Sequence, residues 1–144
     1  MIVSRSRPDI RAEYKHLLDL ESESIHIIRE VIAEFDRPAL LFSGGKDSAV
    51  LLHLAVKATH PAYVPFPVVH IDTGHNFPEV LCFRDKMVKR LNIDLLVGSV
   101  EEAITNGRIP APSEPDGSRN RLQTPVLLET INQGGFTALF GGAR

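Results

Sequence analysis

Four short apolar runs constrain this chain more than any other feature. Ala39-Leu40-Leu41-Phe42, Val68-Val69-His70-Ile71, Asp94 to Val97 and Phe136 to Phe140 are each too short for a helix. Proline, glycine and polar residues bound them, and helical stretches separate them. A strand that is apolar on both faces must be covered on both faces. Strands of that kind alternating with helices predict a parallel sheet in a three-layer α/β domain.

The connecting segments carry their own signals. From Asp9 to Phe35, Ile25, Ile28, Ile32 and Phe35 recur at three- and four-residue steps, which predicts a helix. The polar run Glu21–Ser24 is an expected interruption that would divide it in two. Asp36-Arg37-Pro38 ends it, because proline cannot continue a helix. Ser48 to Thr59 is the next helix. Pro78 fits the first turn of another that runs to about Leu91, and Val100 to Thr105 reads as a short one. Thr124 and Pro125 suit the N-cap and first position of a last helix, which Gly134-Gly135 closes. Residues 1–8 read as a loose lead-in, and residues 106–120, rich in Gly and Pro, as a surface loop. With 144 residues, the chain fits a single domain.

Between the first strand and the following helix lies Ser43-Gly44-Gly45-Lys46-Asp47-Ser48. The glycines let backbone approach an anion closely. The helix beginning near Ser48 aims free N–H groups and its positive dipole end at the loop. Lys46 adds a full positive charge, and Ser43 and Ser48 add hydroxyls. Together these make a phosphate cradle. It is not a Walker A loop, whose spacing differs, nor a dinucleotide fingerprint, because G-x-G-x-x-G is absent. Asp47 stands at the helix start, where the dipole favours a carboxylate.

Composition narrows the partners. Sixteen Lys+Arg against eighteen Asp+Glu leave a net charge of −2, so the basic excess that drives nonspecific nucleic-acid binding is missing. The single cysteine, Cys82, excludes an internal disulfide and reads as a buried small residue. No stretch has the roughly 18 apolar residues of a membrane span, and the first residues lack a signal-peptide core. A cytoplasmic protein without membrane or nucleic-acid contact is the expectation. His70-x-Asp72-x-x-His75 has the spacing of partial metal ligation, but a closed site needs a further ligand. His70 therefore reads as a core-edge histidine and Asp72 as a residue that orients its loop, and no metal ligand is assigned.

Ser43–Ser48 matches the Ser-x-Gly-x-Asp-Ser loop of the ATP pyrophosphatase superfamily. Leu20-Glu21-Ser22-Glu23-Ser24-Ile25-His26, His70-Ile71-Asp72-Thr73-Gly74, Phe83-Arg84-Asp85 and Phe140-Gly141-Gly142-Ala143-Arg144 extend the match. From about residue 16 the chain resembles the small-subunit family of bacterial heterodimeric ATP sulfurylases. Asp72-Thr73-Gly74 is also shared with phosphoadenylyl-sulfate reductases. The resemblance implies a Rossmann-like fold of the adenine nucleotide alpha-hydrolase type. It implies ATP and Mg2+ as ligands, sulfate as acceptor, adenylyl sulfate and pyrophosphate as products, and a large GTP-hydrolysing subunit as partner. It places the triphosphate on Ser43, Gly44, Gly45, Lys46, Asp47 and Ser48, with Lys46 and Asp47 nearest the chemistry and Asp47 either a helix-start residue or part of the magnesium or loop-ordering shell. It places adenine and ribose along Ile71, Asp72, Thr73 and Gly74, and an anion contact at Arg144.

The same resemblance implies that strand one lies between strands two and four, where ligands bind at a switch in strand order. Arg84 and Asp85 are read either as a solvated helix face or as substrate-side residues. Arg108, Arg119, Arg121, Asn120 and Gln123 are read either as plain loop or as lid and anion contacts. Members of the family continue past Phe140–Arg144, so the expectation is one nucleotide-binding domain truncated at its C-terminus. Low adenylyl-transfer activity of the isolated chain follows from that. Two other readings stand beside transfer: an ATP-binding module without turnover, and a reductase-like oxidoreductase.

Overall fold

The computed structural model describes residues 10–110 and 120–142. The chain runs α1 (Ile10–Glu34), β1 (Pro38–Leu41), α2 (Lys46–Thr59), β2 (Val68–Asp72), α3 (Pro78–Leu91), β3 (Leu95–Ser99), α4 (Val100–Thr105), α5 (Asn120–Gly134) and β4 (Ala138–Phe140). The strands form one sheet in the order β3-β2-β1-β4, with every neighbouring pair parallel. Strand β1 therefore lies between β2 and β4, where the direction of winding reverses.

Alternation along the strands divides the core. Leu40, Phe42, Val68 and Phe140 pack with Ile28 of α1, Leu52, Ala55 and Ala58 of α2, and Val88 of α3. On the opposite face Ile71 joins Val100, Ala103, Ile109 and Val126 beneath α4 and α5. The result is three layers, helices on both sides of a parallel sheet. Leu40 and Leu52 are fully buried. Each such side chain contributes about 1.5–3 kcal/mol relative to exposure. Phe66 and Phe140 meet at 5.1 Å between ring centroids and close the first core from the β4 side.

Two expectations need correction. Helix α1 is continuous through Glu21–Ser24. Glu21 pairs with Lys57 of α2 at 2.7 Å, and Ser24 Oγ donates to the Leu20 carbonyl at 2.8 Å, so the polar run is absorbed without a break. Helix α5 begins at Asn120, and Pro125 lies inside it. Only one early-turn backbone bond is forfeited there, since proline lacks an N–H. Strand boundaries differ from expectation by one or two residues. No helix among the described residues is long and apolar enough to cross a membrane.

Candidate functional site

A cavity of 480 Å³ opens at the carboxyl ends of β1, β2 and β4. Ser43, Gly45, Lys46, Asp47 and Ser48 form one wall, Ile71 and Val69 another. Gln123 and Leu127 of α5 and the Gly141-Gly142 backbone complete it. The cavity lies at the place where strand order reverses, which is where parallel α/β sheets bind ligands.

The loop is shaped from within. The Gly45 N–H donates to Ser43 Oγ at 3.3 Å, and the Ser48 hydroxyl donates to the Gly45 carbonyl at 2.9 Å. Ser43 and Ser48 Oγ lie 3.3 Å apart. The Ser48 proton goes to a carbonyl, which only accepts, so Ser43 donates to Ser48. Both hydroxyls thus take part in hydrogen bonds within the loop. Gly44 holds φ +83°, and a Cβ there would lie 2.4 Å from Val80 Cγ1. Glycine is required on both counts, and the contact seats the loop on the first turn of α3.

Helix α2 begins at Lys46 with Gly45 as N-cap, and no side chain caps it. Its first N–H groups have no intrahelical acceptor, and Lys46, Asp47 and Ser48 of this turn line the cavity. Lys46 and Asp47 are exposed there. Gly142 approaches the same turn, so that a Cβ on it would lie 3.2 Å from the Asp47 carbonyl group. Asp47 is the carboxylate among the described residues that line the cavity. Magnesium typically binds through one or two carboxylates plus phosphate oxygens and waters, and a single exposed carboxylate at a helix start fits that donor set.

The other residues singled out in the sequence fall into three groups. Gly44, Asp72, Thr73 and Gly74 border the cavity without lining it. Asp72 Oδ1 accepts the Gly74 N–H at 2.7 Å, so that carboxylate orients its own loop. His70 is buried and bonds the Phe42 carbonyl through Nδ1 at 2.7 Å. Among the described residues no group of three or more His, Cys, Asp or Glu is arranged to hold a metal ion. Arg144, Arg119 and the middle of the 106–120 segment lie outside the described residues.

Several side chains differ from expectation. Arg108 pairs with Glu129 of α5 at 2.9 Å. Cys82 is exposed, because the buried stripe of α3 runs through Arg84 and Val88 and leaves position 82 outside it. Arg84 is no solvated residue: it is 8% exposed, Nη2 lies 2.7 Å from Asp85 Oδ1, and its buried Nη1 has no partner among the described residues. Gln123, read as loop, stands on α5 in the cavity wall; the early start of α5 put it there. The sequence set Gly141–Arg144 beside Ser43–Ser48 at the strand ends; the close approach of Gly142 to Asp47, a turn almost a hundred residues away, was not legible in it.

Residues 37–144 match the phosphoadenosine phosphosulfate reductase domain family. Sulfate adenylyltransferase subunit 2 of Streptomyces lavendulae is 57% identical over 129 residues, 90% of this chain and 40% of that protein. The protein of the same name from Mycobacterium sp. (strain JLS) is 58% identical over 132 residues, 92% of this chain and 42% of that one. The chain thus spans about two-fifths of the length of these curated relatives. Among solved structures, an NH3-dependent NAD synthetase from Campylobacter jejuni aligns with TM-score 0.62 at 14% identity, over 84% of this chain and 54% of that one. An NMN synthetase from Francisella tularensis aligns with TM-score 0.57 at 18% identity, over 83% and 52%. Those two likenesses concern the fold alone.

Proposed function

The chain belongs to the phosphoadenosine phosphosulfate reductase domain family, and on that premise we propose that its cavity binds ATP and serves adenylyl transfer to sulfate. The observation that carries this reading is an uncapped helix start with an exposed lysine, placed at the reversal of strand order. It occurs in a chain 57% identical to a protein named sulfate adenylyltransferase subunit 2.

The β- and γ-phosphates lie on the N–H groups of the first turn of α2, with Lys46 beside them. Adenine and ribose lie along Ile71–Gly74. Sulfate oxygen attacks the α-phosphorus, the bond to the bridging oxygen of pyrophosphate breaks, and the electron pair leaves with pyrophosphate. Sulfate is already an anion and needs no general base. The site's task is to let two anions meet, and Lys46 and the helix start offset the charge that grows on the leaving group. Magnesium, bound with the triphosphate, supplies further neutralisation, and Asp47 is the residue that would hold it. Arg144 is assigned a contact to phosphate or sulfate as a planar donor. Residues 1–144 form one nucleotide-binding domain of a larger cytoplasmic assembly that includes a second, GTP-hydrolysing subunit.

The test is pyrophosphate release from MgATP, with and without sulfate, in the wild-type chain and in Lys46→Ala. Release that requires sulfate and disappears in the variant supports the reading. Release that ignores sulfate assigns another acceptor. ATP binding without release favours a binding module whose catalysis needs the rest of the relatives' length, a reading supported by the 40% coverage of those relatives. Cys82 lies on α3 outside the cavity wall, so it lends no support to a reductase.

A further inference from the structure

Two loops at the cavity are joined through one buried histidine. His70 Nδ1 lies 2.7 Å from the carbonyl oxygen of Phe42, the residue directly before Ser43. A carbonyl only accepts, so Nδ1 carries the proton. Nε2 lies 3.2 Å from Asn76 Nδ2. That amide nitrogen also points at Asp72 Oδ1, at 3.4 Å, while Asn76 Oδ1 accepts from the Thr73 hydroxyl at 3.3 Å. The surrounding partners therefore fix the amide orientation, and the amide in turn requires a lone pair on Nε2. His75 N–H donates to Thr73 Oγ1 at 3.2 Å and Gly74 N–H to Asp72 Oδ1, so the whole turn after β2 hangs on this network.

We propose that His70 and Asn76 form a latch coupling the phosphate loop to the β2–α3 turn, with neutral His70 as a positioning residue for the nucleotide site. The role in nucleotide binding rests on the ATP reading above; the coupling itself does not. Protonating Nε2 would set an N–H against the Asn76 NH2 group. The amide would have to turn, giving up its bonds to Thr73 and Asp72.

Charged groups face the ring from two elements. Asp72 does so from β2, and Arg84 and Asp85 from α3, while the Phe42 carbonyl just after β1 accepts from the ring. Burial is the largest influence and holds the ring's pKa below its ordinary 6.5. The bond to Phe42 opposes it, Arg84 reinforces it, and Asp72 and Asp85 oppose it.

The test is a pH titration of the labelled chain by NMR between about pH 5 and 8, around the ordinary histidine range, paired with ATP affinity at each pH. The His70 ring is expected as the Nδ1–H tautomer. Amide signals of Gly45 and Lys46 should move together with those of Gly74 and His75, at one midpoint below 6.5. His70→Asn keeps a donor near the Phe42 carbonyl and removes the titration, so both sets should become flat. Its ATP affinity at pH 7.5 should fall about five-fold, the loss of one modest hydrogen bond. Asn76→Ala removes the amide that needs a lone pair on Nε2, so it should raise the midpoint, and it serves if His70→Asn does not fold. Phosphate-loop signals that ignore the His70 titration would overturn the latch. Co-titration without ATP binding at any pH would uphold the coupling and sink the ATP reading. ATP affinity that keeps its pH profile in His70→Asn would overturn the positioning role.

Discussion

Replacing Gly44 by alanine should cost this protein more than the same change at Gly107 or Gly141. The backbone at Gly44 sits at φ +83°, where an L side chain costs about 1–2 kcal/mol. The new Cβ would also lie 2.4 Å from Val80 Cγ1. Carbon atoms rest at about 3.5–4.0 Å, so loop or helix must yield by more than about 1 Å. Overpacking of that kind costs about 1–3 kcal/mol. The stiffer unfolded chain returns about 0.4–1 kcal/mol. The net is a loss of about 2–4 kcal/mol. Urea denaturation with a slope of about 2 kcal/mol/M would show the midpoint fall by about 1–2 M.

Gly107 supplies the internal comparison. It has φ +66° and nothing among the described residues within 4 Å of an added Cβ, so alanine there meets the strain without the clash and should cost about 1 kcal/mol. Gly141 has neither strain nor a near neighbour among the described residues, and Gly141→Ala should change stability by less than about 0.5 kcal/mol. Equal losses at Gly44 and Gly107 would refute the claim that the loop is seated on Val80.

Three further outcomes follow from the same geometry. Below about pH 6.5 the unfolded chain takes a proton at His70 before the folded chain does, so stability should fall with pH there and His70 should contribute no slope above it; urea midpoints of the wild type and His70→Asn that fall in parallel would contradict this. Asp85→Ala leaves the buried Arg84 guanidinium without its partner and should cost about 1–3 kcal/mol in urea melts, discounted because the carboxylate is exposed, while Arg84→Met should cost less; the opposite order would show that Asp85 does little to compensate the buried guanidinium. Gly142→Ala pushes on the Asp47 carbonyl group from 3.2 Å and should weaken ATP binding with little effect on the melt, and unchanged affinity by calorimetry would remove the β4 end from the site.

The strands were legible because each is a short apolar run bounded by proline, glycine or polar residues, as in Pro38–Leu41. The loop and helix start at the cavity were legible because the glycines, the lysine and the helix are contiguous. What escaped depended on distant contacts. Thr124-Pro125 has the local chemistry of a helix start, yet α5 already runs through it, since one missing backbone bond in an early turn is tolerated. Glu21–Ser24 looked like a break until Lys57 answered Glu21 across the α1–α2 contact. Arg84 is hidden by its position on the inner stripe of α3, beside Phe83, which stacks on Phe42 at 6.3 Å. Nothing in the order of residues says that Asn76 folds back to His70.

The function proposed for this chain stands or falls on whether the start of α2 and Lys46 hold a triphosphate. Calorimetric titration of MgATP into the wild-type chain and into Lys46→Ala decides it. Saturable one-site binding should weaken about ten-fold or more in the variant, the loss of a charge-assisted contact, while the urea midpoint stays unchanged because Lys46 is exposed. Equal affinity in the two proteins would contradict a triphosphate held there.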